Sequence, residues 1–115
     1  MDSLKLGSDG EKKGAEFLKK RGYRILCRNF RTRSGEIDII AEKDREIVFI
    51  EVKTRSSARF GYPEEAVDAR KVARLVKASG HYMMQYGHDM PCRFEILSIL
   101  SGDSGDIINI LPVDL

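Results

Sequence analysis

Near the start of the chain, apolar positions recur at helical spacing. From Gly10, the residues Glu11, Ala15 and Leu18 share a stripe with Gly14 and Phe17 beside them, while Lys12, Lys13, Lys19 and Lys20 point elsewhere. Ser8 and Glu11 have the form of a capping box at its start, and Gly22 supplies the stop. Three segments rich in β-branched and aromatic residues follow, Tyr23 to Arg31, Glu36 to Ala41 and Ile47 to Lys53, separated by Ser34-Gly35 and by a polar stretch around Asp44. They predict a three-strand meander. Arg55 to Tyr62 has no periodicity and reads as a surface loop, after which Pro63 opens a short helix with Glu64 and Glu65 at its positive end.

Asp68 is placed to cap a longer helix stopping at Gly87, with Val72, Leu75, Val76, Ser79, Met83 and Tyr86 on the inner side. Arg70, Arg74, Lys77 and His81 form a basic stripe on the outer side. Two strands, Arg93 to Leu100 and Asp106 to Leu111, close the chain around the turn SGDSG. The predicted order is αβββααββ, an α/β fold with a mixed sheet flanked by helices.

A chain of 115 residues has room for one domain, residues 1–115, with one sheet and its cover. No apolar run approaches the roughly 18 residues that cross a bilayer, and Met1 to Gly10 lacks the apolar stretch of a secretory signal. The expectation is a cytoplasmic protein without a membrane partner. Cys27 and Cys92 are far apart and lack zinc-site spacing, so they read as small buried residues in a reducing compartment and not as a disulfide.

The net charge of +2 conceals blocks of opposite sign: −2 over 1–11, +8 over 12–33, −4 over 34–51, +4 over 52–82 and −4 over 83–115. An acidic segment between two basic ones suits an anionic polymer held on both sides of a cation site, and also suits ordinary solvated faces.

The acidic segment contains the candidate chemistry. Residues two apart in a strand share a face, so Glu51 and Lys53 project together. A hairpin centred between Asp44 and Arg45 places Asp38 opposite Glu51, with Cβ atoms ~5 Å apart. Asp38, Glu51 and Lys53 then form one cluster in apolar surroundings, and Glu11 on the first helix is a further acid that could join it. A divalent cation would offset the surplus negative charge, and all-oxygen ligation favours Mg²⁺ or Mn²⁺ over zinc. A metal-free ionic network, or one protonated acid, accounts for the same residues. A metal between two carboxylates beside a lysine suits phosphodiester hydrolysis, and neither His81 nor His88 is required.

Asp38 followed by Glu51-Val52-Lys53 resembles the signature of the restriction-endonuclease-like, or PD-(D/E)XK, nuclease superfamily. More closely, GEKKGAEFL, GYRILCRNFR, GEIDIIA, FIEVKTR and FGYPEEAV are similar to the YraN family of small bacterial proteins over about Gly10 to Arg93. That family is similar in fold to archaeal Holliday-junction resolvases and tRNA-endonuclease-like domains. The resemblance implies a restriction-endonuclease-like sheet, metal-binding carboxylates Asp38 and Glu51, a ligand from the Val52 carbonyl and a catalytic lysine at Lys53. Glu11 matches the helix-one acid of resolvase-like members, although its capping-box role explains it equally well. Ile37 stands where the signature has proline.

The expected activity is therefore Mg²⁺- or Mn²⁺-dependent cleavage of nucleic acid, DNA ahead of RNA, on branched or structured substrates. Arg31, Arg33, Arg55, Arg59, Arg70, Arg74 and Lys77 are candidate phosphate contacts. A small cutter of two-stranded substrates would work as a homodimer. Two other readings remain, a nucleic-acid-binding module that kept the fold without turnover and a protein-interaction scaffold.

Overall fold

The computed structural model describes residues 3–56, 69–87 and 89–114. Helix α1 runs Ser3–Lys20, so Ser8 lies inside it and the expected capping-box start at Ser8–Glu11 is not where the helix begins. The Gly-Ser-Asp-Gly stretch favours a boundary locally, but tertiary packing overrides propensity. At Gly10 an added Cβ would sit 2.3 Å from Thr54 Oγ1, and at Gly14 the same distance from Leu97 Cδ2. These glycines let α1 lie close against the sheet. The other end follows expectation: Gly22 has φ +89°, its N–H donates to the Lys19 carbonyl, and that of Tyr23 donates to Leu18, a Schellman closure.

The strands are β1 (Arg24–Thr32), β2 (Gly35–Lys43), β3 (Glu46–Arg55), β4 (Cys92–Gly102) and β5 (Gly105–Pro112), with α2 (Ala69–Tyr82) between β3 and β4. Their spatial order is β1-β2-β3-β4-β5; β3 and β4 are parallel and the other neighbours antiparallel. The α/β class and mixed sheet agree with the sequence reading, and the order agrees in part. The helix at Pro63, the Asp68 cap, the 57–62 part of the loop, Arg59 and His88 lie outside the described residues. Regular α-helix ends at Tyr82, and a π-helical turn, Met83–Gly87, continues to the expected stop.

The β2–β3 hairpin has the register its sequence predicts. Asp44 and Arg45 both take the left-handed conformation, φ 53° and 65°, as a two-residue type I′ turn requires. The ladder above it runs from Lys43↔Glu46 to Ile39↔Ile50.

Each face of the sheet carries its own core. Ala15 and Leu18 of α1 pack with Ile39, Ala41, Val48, Ile50, Leu97 and Ile99 on one face. Leu75, Ala78 and Tyr82 of α2 pack with Ile37, Ile40, Ile47 and Phe49 on the other. Strict alternation along β3 decides this division: even-numbered residues face α1 and odd-numbered ones face α2. The inner stripe of α2 differs from the expected one. Leu75, Ala78, Ser79 and Tyr82 are buried, whereas Val76 and Tyr86 are 42% and 52% exposed. Small residues set this phase, because Ala78 and Ser79 allow close approach although they add little to an apolar count. Among the described residues no helix is long and apolar enough to cross a membrane.

Candidate functional site

The site forms where β2 leaves β3. Pairing between these strands ends at Ile39↔Ile50, one position before Asp38. Ile39 and Ala41 belong to the α1-side core, yet Ile37, two residues away, belongs to the α2-side core, so the strand changes face at Asp38. Across the neighbouring ladder, Asn29 has φ 57° between the pairs Arg28↔Ile39 and Phe30↔Ile37. β1 and β2 thus bend together at Asn29 and Asp38. The Val52 N–H, beyond the end of the β2–β3 ladder, donates to Asp38 Oδ2 at 2.8 Å. The expected proximity of Asp38 to β3 holds, through a side-chain-to-backbone bond and not a ladder pair.

Glu51 and Lys53 continue the alternation of Ile47 and Phe49 and so project toward α2. Lys53 is 9% exposed, and its Nζ lies 3.0 Å from Glu51 Oε1. Lys71, reaching in from α2, stands 3.9 Å from the same oxygen, beside Lys53. Glu51 lies beside Asp38, close enough for its charge to act on that carboxyl. Asp38, Glu51 and Lys71 open onto a cleft of about 220 Å³ whose lining also includes Glu36 and Arg74.

Burial pushes the Asp38 carboxyl up to about 8, helped by the charge of Glu51 and, less strongly, of Glu11; the Val52 N–H opposes it. Without a cation, Asp38 therefore favours its protonated form at neutral pH. Burial acts to lower the pKa of Lys53, but its neighbours Lys71 and Glu51 outweigh that and leave it raised. Lys71 is lowered, first by the neighbouring Lys53 side chain, then by burial and by the Lys53 charge.

Glu11 reaches the edge of this cluster. Since α1 begins at Ser3, the helix start makes no demand on Glu11, whose carboxylate lies 3.8 Å from Arg28. In the amide orientation that satisfies its hydrogen bonds, Asn29 donates to Glu11 at 3.0 Å and to Glu36 at 3.2 Å. Counting these neighbours alters the charge sum expected from sequence. With Asp38 protonated, Lys53, Lys71 and Arg28 match Glu51, Glu11 and Glu36 in number, so the surplus negative charge disappears.

The remaining expected contacts divide by position. Arg31 is exposed, 3.7 Å from Glu36, and Arg33 is exposed in the β1–β2 turn. Arg74 sits at the cleft: its Cβ is 3.2 Å from where a Cβ on Gly35 would lie. Arg70 and Lys77 are exposed on α2, and Arg55, half-buried, donates to the Thr54 carbonyl at 3.0 Å. Sequence reasoning missed Lys71, Arg28, Asn29 and Glu36. For Lys71 a signal was present, because Lys71, Leu75, Ala78 and Tyr82 form one helical stripe. A lysine on a core stripe points at something that needs it.

The model of a protein family described as uncharacterised protein family UPF0102 matches residues 10–99. The chain belongs to this family. UPF0102 is the YraN family whose motifs the sequence resembles. A UPF0102 protein of Syntrophomonas wolfei is 50% identical over 105 residues, covering 90% of this chain and 91% of that protein. Others from Persephonella marina and Caldicellulosiruptor saccharolyticus are 43% and 41% identical, each covering 94% of the relative and 94% and 96% of this chain. The match to UPF0102 includes Glu11, Asp38, Glu51, Lys53, Lys71 and Arg74 within its span.

The donor chemistry can be tested for fit to a metal. Among the described residues, no group of three His, Cys, Asp or Glu side chains is arranged to hold an ion. Asp38 and Glu51 offer two carboxylates, with the Val52 main chain beside them. Mg²⁺ characteristically takes one or two carboxylates and completes its shell with water and substrate phosphate. The set fits that habit and does not fit zinc.

Proposed function

We propose that the chain is a divalent-metal-dependent nuclease acting on DNA, with RNA a second class of substrate, and that Mg²⁺ or Mn²⁺ is held by Asp38, Glu51 and the Val52 carbonyl. The observation that carries this reading is the convergence of a buried lysine, Lys53, on Glu51 beside a desolvated Asp38, with both carboxyls lining a cleft that has basic residues on its wall. Such a metal, when bound, supplies a water of lowered pKa and offsets charge on the phosphoryl oxygens. Lys53 keeps its proton and places a positive charge where negative charge would gather in the transition state. Lys71 and Arg74 hold the substrate phosphate at the cleft wall, and Arg70, Lys77, Arg31 and Arg33 extend that grip along a strand. Glu11, restrained by Arg28 and Asn29, acts from the periphery.

In a panel of linear, flapped, forked and four-way DNAs plus structured RNA, product should appear only with Mg²⁺ or Mn²⁺. Asp38→Asn and Glu51→Gln should each lower cleavage by at least about 100-fold, the scale on which a transition-state stabiliser acts. Cleavage that survives both substitutions would refute the proposal. The near balance of charge created by Lys71 and Arg28 favours one alternative, a nucleic-acid-binding module that needs no metal. It requires salt-sensitive binding without products and indifference to Asp38→Asn.

A further inference from the structure

The two edges of the sheet are built differently. β1 carries Arg24, Arg28 and Arg31, a register shift between Ile25 and Cys27, and left-handed Asn29. Charge, bulges and irregular backbone are the devices that keep an edge from pairing with another chain. β5 has no bulge or irregular backbone between its turn and Pro112, and a single charge, Asp106, next to the turn. Its pairing with β4 is unbroken from Gly102↔Gly105 to Glu95↔Pro112, and residues 107–111 are Ile-Ile-Asn-Ile-Leu. Ile107 is 58% exposed. Asp106, the one charged residue of the strand, is tied to Lys13 at 2.8 Å.

The geometry points to β5 as a homodimer seam, where a second copy of this chain adds its own β5 antiparallel and makes one continuous sheet across two protomers. This does not rest on the nuclease reading. The Val113 N–H donates to the Phe94 carbonyl, which fixes the alternation along the strand. Odd-numbered residues direct their N–H and carbonyl groups to β4, and Asp106, Ile108 and Ile110 direct theirs outward. A two-fold axis at Ile108 pairs Ile108 with itself and Asp106 with Ile110, giving roughly six main-chain hydrogen bonds. Pro112, which lacks an N–H, falls beyond the paired span and limits it.

A second copy is the occupant that the charges admit. An antiparallel self-pair is isologous, so each residue must tolerate its symmetry mate. Here Asp106 is the one charged residue facing the seam, and it meets Ile110, not another acid. Beside the seam a groove of about 360 Å³ between α1 and β5 is floored by Phe17 and Ile108. Its wall mixes Lys12, Lys13 and Lys20 with Glu16 and Asp106, so no strong single-sign field repels an identical molecule.

This register places Ile107 of one protomer opposite Asn109 of the other on the exposed face, which gives a test. Light scattering on the full chain should return twice 13.0 kDa. The double substitutions Ile107→Lys/Asn109→Lys and Ile107→Glu/Asn109→Glu bring like charges directly across the seam, and each should be monomeric with an unchanged circular-dichroism spectrum. Mixing the two should restore a dimer, because lysine then faces glutamate. A monomeric wild type, a dimer indifferent to either double substitution, or a mixture that stays monomeric would each overturn the inference.

Discussion

The two halves of β3 face the same partner strand on one side and differ on the other. From Ile47 to Ile50, β3 is held by both β2 and β4, and all four residues are buried. From Glu51 to Arg55, β4 continues alongside but β2 has turned away, and every side chain except Val52 is charged or polar. Losing one neighbour leaves the Val52 N–H for a carboxylate and opens space for Lys71 of α2. The apolar half supplies the low-dielectric wall that raises Asp38. A site of this kind therefore needs both halves, a rigid one to fix its position and an incomplete one to admit a ligand.

The largest effect should come from breaking the rigid half. Phe49 is fully buried, stacks on Phe94 at 5.4 Å between ring centroids and meets the edge of Tyr82 at 5.9 Å. Phe49→Ala should cost about 3–5 kcal/mol of stability, read as a lower midpoint in urea unfolding. A loss below about 1 kcal/mol would mean that the α2-side core is not the anchor of the strand.

A smaller effect, of opposite sign, is expected in the charged half. The Asp38 carboxyl titrates near 8 in the folded chain and near the ordinary carboxylate value of 3.8 when unfolded. Its stabilising contribution is full below about pH 4 and is lost as pH rises toward 8, because folding then holds a charge in a site that prefers the neutral acid. Asp38→Asn keeps an acceptor for the Val52 N–H and removes that loss. Measured without divalent metal, the variant should be more stable than wild type at pH 8–9, with the advantage shrinking toward pH 4. Parallel stability curves across that range would show that burial does not strain Asp38.

The division of β3 was largely legible in the sequence. The turn at Asp44-Arg45 set the register, strand alternation put Glu51 beside Lys53, and the run Ile47–Ile50 announced the core. What sequence could not supply was the phase of α2 and the bend at Asn29. Helix phase depends on which side packs most closely, and Ala78 and Ser79 carry that decision without an apolar signal. Asparagine tolerates the left-handed region better than most residues, but inside a strand-like run that tolerance does not by itself predict a bend, so the approach of Glu11 and Glu36 to the Asn29 amide was invisible. The start of α1 was misplaced for a related reason: its glycines serve contact with Thr54 and Leu97, and only the folded sheet reveals that contact.

The smallest effect sharpens where the charged half ends. Arg74 lies against Gly35 at the cleft, whereas Lys77, one turn further along the same helix, is exposed and lines no part of it. A phosphate contact distant from the chemistry positions a strand without reading it. Lys77→Ala should therefore weaken nucleic-acid binding by less than about 1 kcal/mol, uniformly across sequences, and reduce the slope of log affinity against log salt by about one. Arg74→Ala should weaken binding more and also slow cleavage, because it removes a charge at the cleft itself. Equal losses in binding and turnover from the two substitutions would place the boundary of the site beyond Lys77, and the polar end of β3 would then be only part of a longer basic track along α2.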